Sequence, residues 1–187
     1  MTAGILEAKL ACRRLAPGES GAYRALRLES LRRYPDSFGS TYEEEARLAR
    51  LPFETAIEEG AAERFVVGAF TDERLVGIAA FARVPGRKRR HRGEITGVFV
   101  DPECRGRAVG AALMRKLLQL AFALGDIDQV ELRVVSTNAA ALRLYAKLGF
   151  EQFGLQKDFF KDAGLSWDQC FLALTRERFV ISLLTLR

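Results

Sequence analysis

Apolar residues along this chain change their spacing at turn-forming residues, and each change marks an element. Short apolar runs at residues 5–15, 64–70, 75–82, 92–100 and 129–135 predict strands. Thr71-Asp72-Glu73-Arg74 joins the second and third as a hairpin. Residues 20–34 predict a helix with Tyr23, Ala25, Leu26, Leu28 and Leu31 as its apolar contributors. Pro35-Asp36-Ser37 ends it. Phe38 to Tyr42 reads as an aromatic loop, followed by short helical segments near Glu43 and between Pro52 and Glu59. Residues 108–124 predict a helix with the stripe Val109, Leu113, Leu117, Leu120 and Leu124. Ser136-Thr137-Asn138 caps another, which runs through Leu148 and stops at Gly149. Two more strands follow at 151–160 and 167–174. The tail, 176–187, carries Phe179-Val180-Ile181 and Leu183-Leu184, too apolar for a solvated end. It predicts an added strand, packed on the domain or across a homodimer.

Whole-chain properties set bounds on this picture. The length of 187 residues with 49% hydrophobic positions suits one domain over 1–187 with a sizeable core. No apolar run reaches the roughly 18 residues of a membrane span. Met1-Thr2-Ala3-Gly4-Ile5 lacks the basic start of a signal peptide. Cys12, Cys104 and Cys170 are scattered, which fits neither a disulfide framework nor a zinc site and suggests a cytoplasmic protein. The formal charge is +5, and much of the excess sits in Arg83, Arg87, Lys88, Arg89, Arg90 and Arg92 beside His91. Nucleic-acid binding is disfavoured because no aromatic platform interleaves these charges; a solvated hairpin tip is the preferred reading. A third reading lets some of them attract an acidic ligand.

The candidate chemistry begins where the strand at 92–100 ends. Asp101-Pro102 can continue neither ladder nor helix. After Arg105-Gly106-Arg107 a helix starts with little side chain at Ala108, Gly110 and Ala111. A helix start carries unpartnered N–H groups and a positive dipole end, so a bare one suits a diphosphate. In a second block, Asn138, Ala141 and Tyr145 fall on one helix face.

Both blocks resemble the GNAT superfamily of N-acetyltransferases, and the resemblance extends over residues 64–174. Arg105-Gly106-Arg107-Ala108-Val109-Gly110 is similar to that family's acyl-CoA pyrophosphate loop: Arg or Gln, two residues, Gly, one residue, then Gly or Ala. Arg105 and Gly110 match its ends, and Ala108 stands where Gly is usual. Alanine is harmless there at negative φ and strained at positive φ. Asn138, the small-residue helix, Tyr145 and Gly149-Phe150 are similar to the second signature.

The resemblance implies an α/β fold with a mixed, mostly antiparallel central sheet flanked by helices. Its two central strands are parallel and splayed, and here end at Val100 and Val135. It implies acetyl-CoA as co-substrate and no metal. The residues it places at the cofactor are Val98, Phe99, Val100, Arg105, Gly106, Arg107, Ala108, Val109, Gly110, Ala111, Asn138, Ala141 and Tyr145. Backbone groups left unpaired by the splay can take pantetheine like an added strand. The implied reaction is direct acetyl transfer to a primary amine of a small molecule or peptide. Glu94 is the candidate base, and Tyr145 matches the family tyrosine that protonates the leaving thiolate. The N–H of Phe99 or Val100 would meet charge on the thioester oxygen. Acceptor-contacting segments fall near residues 34–42 and 159–167.

Other classes are weaker. A Cys104 nucleophile would need His91, the only histidine, which sits in the basic run. No cluster of His, Cys and carboxylates suggests a metal. The alternatives kept are a non-enzymatic acyl-CoA sensor and a ribosomal-protein or RNA-associated acetyltransferase that uses the basic run.

Overall fold

Buried runs without alternation need cover on both faces, and the two strands richest in them lie inside the sheet. They are β2 (Arg64–Thr71) and β3 (Arg74–Arg83), where residues 65–70 and 76–81 are all buried. The computed structural model describes residues 9–104 and 108–185. The other strands are β1 (Leu10–Arg14), β4 (Arg92–Val100), β5 (Gln129–Val135), β6 (Glu151–Asp162) and β7 (Leu165–Thr175). They form one sheet in the order β1-β2-β3-β4-β5-β7-β6. Every neighbouring pair is antiparallel except β4 with β5. The expected mixed, mostly antiparallel α/β architecture is thus present.

Helices cover the two faces with separate cores. On one face lies α4 (Val109–Phe122), with α5 (Ala139–Lys147) and α6 (Arg176–Thr185) beside it. Leu113, Met114, Leu117, Leu118 and Phe122 of α4 pack there against Val67, Phe81, Ile95 and Leu132. Each such side chain stabilises the fold by roughly 1.5–3 kcal/mol gross. On the other face lie α1 (Ser20–Arg33), α2 (Tyr42–Ala46) and α3 (Glu54–Glu58). Tyr23, Leu51, Phe53 and Ile57 pack there against Val66, Ile78, Ala80 and Phe99.

Several expectations need correction. The first strand starts at Leu10, and residues 1–8 lie outside the described residues. The α4 stripe is wider than expected: Met114, Leu118 and Ala121 are buried, whereas Leu120 and Leu124 are half-buried. In α1 the buried stripe is Tyr23, Arg27, Ser30 and Leu31, and Ala25 is exposed. The apolar tail is the helix α6 rather than a strand. Thr175 stops β7 and starts α6, because its hydroxyl accepts from the N–H of Arg178 at 3.3 Å. Phe179 then stacks on Phe122 at 5.3 Å, whereas Val180 and Ile181 stay exposed.

Candidate active site

The parallel pairing of β4 and β5 runs only from Arg92–Gln129 to Ile95–Leu132. Beyond those residues β4 stays with β3, and β5 stays with β7. The gap between them is the splay that the resemblance implied.

A bulge steers β4 away from its neighbour. Its register against β3 slips between Ile78 and Ala80, so Gly97 and Val98 together oppose Ala79. Gly97 has a φ of 60°, a conformation glycine adopts without penalty. A glycine inside an apolar strand is the sequence signal for such a bulge, and the motif reading misses it. Past the bulge, Asp101 donates its N–H to the carbonyl of Val76 on β3 at 2.8 Å. Alternate N–H groups of a strand turn the same way. Phe99 therefore turns its N–H to β3, and Val98 and Val100 turn theirs to the gap. Of the two N–H groups that the resemblance offers, only that of Val100 turns into the gap.

Helix α4 begins just past this strand end. Its N-cap is Ala108, with a φ of 57° and no side-chain cap. The left-handed conformation costs a non-glycine residue roughly 1–2 kcal/mol, so the departure from the family's glycine is a strained one. Ala108→Gly is expected to stabilise the fold by about 1 kcal/mol. The check is a higher urea midpoint at unchanged slope. Arg105, Gly106 and Arg107 lie outside the described residues. Gly110 is in the first turn, where a Cβ would lie 3.4 Å from Leu144 of α5 and 3.8 Å from Val100. Its lack of a side chain lets α4 start close against both. Val109 beside it is buried and Ala111 half-buried.

Helix α5 is fastened at both ends. Asn138 Oδ1 accepts from the N–H of Ala141 at 3.1 Å, which uses the side chain as an N-cap. At the other end Gly149 has a φ of 93°. Gly149 donates to the carbonyl of Ala146 and Phe150 to that of Tyr145, both at 3.0 Å. This is a Schellman motif, whose apolar contact joins the residue after the glycine to the last turn. Here that contact is between the rings of Phe150 and Tyr145, 5.8 Å apart. The Gly-Phe pair therefore clamps the tyrosine. Tyr145 is 5% exposed, and burial pushes its phenol well above the ordinary value of 10. Its hydroxyl has no hydrogen bond to a described residue.

Glu94 lies on β4 one residue before the strands part. It shares the α1 face with its cross-strand partner Ala82. Its Oε1 accepts from Arg133 Nη2 at 2.7 Å. Beside it, Arg92 makes a two-bond pair with Glu131 at 2.8 and 2.6 Å. Tyr145 belongs to the core on the α4 face. The candidate base and acid thus approach the gap from opposite faces. Aromatic walls rise on the α1 side. The Tyr34 and Phe99 rings lie 6.1 Å apart. A Cβ at Gly39 would lie 2.9 Å from Phe160, so the loop after α1 touches the β6–β7 hairpin. Phe171 is flanked by Phe153 at 6.1 Å and Phe159 at 5.8 Å.

The basic run lies at the opposite end of β4. Arg83 and Arg90 each pair with Glu63 and Asp126, and residues 87–91 are exposed around them. That is the solvated hairpin tip expected. His91 is therefore far along the strand from Cys104, which is buried with Arg74 Nη2 at 3.8 Å from its sulfur. Among the described residues no group of three or more His, Cys, Asp or Glu is placed to hold a metal ion. No helix of theirs is long and apolar enough to cross a membrane.

The model of the acetyltransferase (GNAT) family matches residues 24–150, from within α1 to the ring that clamps Tyr145. The chain belongs to the GNAT acetyltransferase family. Relatives of this GNAT domain include N-alpha-acetyltransferase RimI of Mycobacterium tuberculosis, 38% identical over 98 residues. That match covers 52% of this chain and 59% of the relative. L-amino acid N-acetyltransferase AaaT of Escherichia coli is 33% identical over 90 residues, or 48% of this chain and 56% of that one. The match thus spans little more than half the length of these relatives. The solved structure of yncA from Salmonella typhimurium with its cofactor acetyl-CoA has a TM-score of 0.71 at 20% identity. It covers 90% of this chain and 94% of the other, which shows the GNAT fold.

Proposed function

We propose that this GNAT domain transfers the acetyl group of acetyl-CoA directly to a primary amine. The observation that carries the reading is the parting of β4 and β5 after Ile95 and Leu132, with the start of α4 at its mouth. The gap offers the N–H groups of Val98 and Val100 to the amides of pantetheine, as a strand edge would. The first turn of α4, with Val109, Gly110 and Ala111, offers its N–H groups and dipole to the pyrophosphate. A side chain at Gly110 would narrow that approach. Asn138 and Ala141 hold the start of α5 beside the same mouth.

In the reaction the amine nitrogen bonds to the carbonyl carbon of the thioester and the carbon–sulfur bond breaks. Glu94 takes the proton the amine gives up, and Tyr145 supplies one to the sulfur. Support for this division comes from the two faces they occupy: acceptor enters from the α1 side, and thiolate leaves toward α5. The N–H of Val100 meets charge on the thioester oxygen.

The test is acetyl-CoA turnover across polyamines, amino acids, aminoglycosides and peptides. Acetyl-CoA binding with no product from any amine would instead support the sensor reading. Glu94→Gln is expected to lower kcat/KM by roughly 10²–10³-fold, within the usual worth of a positioned base. The loss should fall on kcat while acetyl-CoA affinity stays near that of the wild type. An equal loss in Arg133→Gln, which keeps the Glu94 carboxylate, would reassign Glu94 to its pair with Arg133.

A further inference from the structure

Among the described residues, three buried side-chain atoms have no hydrogen-bond partner: Arg27 Nη1, Arg83 Nε and Gln169 Oε1. Arg83 Nε has Glu63 Oε1 at 2.9 Å and belongs to the ion pairs at the hairpin end. The other two lie on the α1 face of the sheet, where the acceptor is expected. Gln169 pairs in register with Val135, two positions along from the Arg133–Phe171 pair. It therefore faces the same side as Arg133 and Glu94.

Arg27 is the one charged residue in the buried stripe of α1. It stands between Tyr23 and Leu31 on the buried side of α1 and is 9% exposed. Glu45 of α2 accepts from its Nε at 2.9 Å and its Nη2 at 2.6 Å. The Phe38 ring covers the guanidinium at 4.9 Å. Only Nη1 is left over, and it faces the bulge that opens the gap: a Cβ at Gly97 would lie 3.8 Å from it. Buried donors are almost always paired, so an orphan aimed at a candidate site points to a ligand oxygen.

We propose that Arg27 Nη1 donates to a carbonyl oxygen of the acceptor, whose amine sits on a carbon bearing an uncharged carbonyl. This inference rests on the acetyl-transfer reading above. Peptide amino termini and amino-acid amides share that chemistry. Glu45 already balances the guanidinium, so a carboxylate at Nη1 would be an uncompensated buried charge. A carbonyl satisfies the donor without that cost. A plain alkylamine leaves it unpaired. Gln169 Oε1 offers the complementary partner, an acceptor for the amide N–H that a peptide carries and a free carboxylate lacks.

The experiment compares kcat/KM for alaninamide, trialanine, free alanine and sec-butylamine at equal free-amine concentration. The first two are expected to exceed the last two by about 10- to 100-fold, the worth of one buried donor left unpaired. Trialanine above alaninamide assigns the peptide terminus; the reverse order assigns the single-residue amide. Removing Arg27 alone would bury Glu45 unpaired, so the variant is Arg27→Met with Glu45→Gln. Acetyl-CoA affinity reports that its fold stands. The preference for carbonyl acceptors should fall toward one in this variant. If it fails to bind acetyl-CoA, the wild-type ratios decide. Equal kcat/KM for all four amines, alanine as the best acceptor, or an unchanged preference in a folded variant overturns the proposal. No turnover on any amine, with acetyl-CoA bound, overturns the transfer reading beneath it.

Discussion

Gly110→Asp is expected to weaken acetyl-CoA binding by at least about 10²-fold, because like charges brought together at an interface cost several kcal/mol. The carboxylate would stand in the first turn of α4, where the pyrophosphate is proposed to meet backbone N–H groups. Unfolding is a poor explanation for such a loss. A carboxylate in the first turn of a helix is favoured by the dipole, by about 0.3–1 kcal/mol. The variant should therefore keep its thermal midpoint while losing its ligand. Gly110→Ala is the control. Its Cβ would lie 3.4 Å from Leu144 and 3.8 Å from Val100, close to ordinary contact, so binding should survive. Calorimetry with acetyl-CoA on the three proteins checks this. Equal affinity for wild type and Gly110→Asp would remove α4 from the binding site.

Tyr145→Phe should separate chemistry from binding. The ring is buried against Phe150, and phenylalanine keeps that packing. Acetyl-CoA affinity should change little. Turnover should fall by roughly 10²–10⁴-fold, the usual worth of a positioned acid. The pH dependence follows from burial, which raises the phenol above 10. An acid works only while protonated, and a raised value keeps it protonated to higher pH. The tyrosine-dependent limb of the wild-type profile should thus fall above pH 10. If the hydroxyl only binds the sulfur in the ground state, affinity rather than turnover carries the loss. Full turnover in the variant would leave water as the proton source.

These variants probe parts of the site that were legible in the chain to different degrees. The strand–loop–helix around Gly110 and the Asn138-to-Phe150 helix are local devices. A cap, a bare first turn and a Gly-Phe stop depend on neighbours within a few residues, so their motifs are written contiguously. The structure adds why the Gly-Phe pair belongs with the tyrosine: the Schellman bonds bring Phe150 onto the Tyr145 ring. The strain at Ala108 was legible only as a condition, since composition does not set the sign of φ there.

The tail and Arg27 show where local reading fails. Phe179, Val180 and Ile181 are β-prone residues, yet Thr175 caps a helix over them and Phe122 receives the one ring that must be buried. That outcome depends on a surface supplied by α4, far away in the chain. Arg27 is not among the apolar contributors that the sequence gives to its helix, Tyr23, Ala25, Leu26, Leu28 and Leu31. In the fold Glu45 neutralises it, and the rotation of α1 turns it onto the sheet.

The order of strands and helices up to the tail, the bare start of α4, the Tyr145 helix and the family can all be read along the chain. Each of these is set by short-range sterics and hydrogen bonding, which neighbouring residues control. Where β4 and β5 part, which N–H groups face the gap and which side chains line its α1 side emerge only in the folded chain. Those features depend on a bulge at Gly97 and on the packing of α1, α2 and the β6–β7 hairpin. Contacts between residues distant in the chain are settled by packing, which local sequence pattern does not encode.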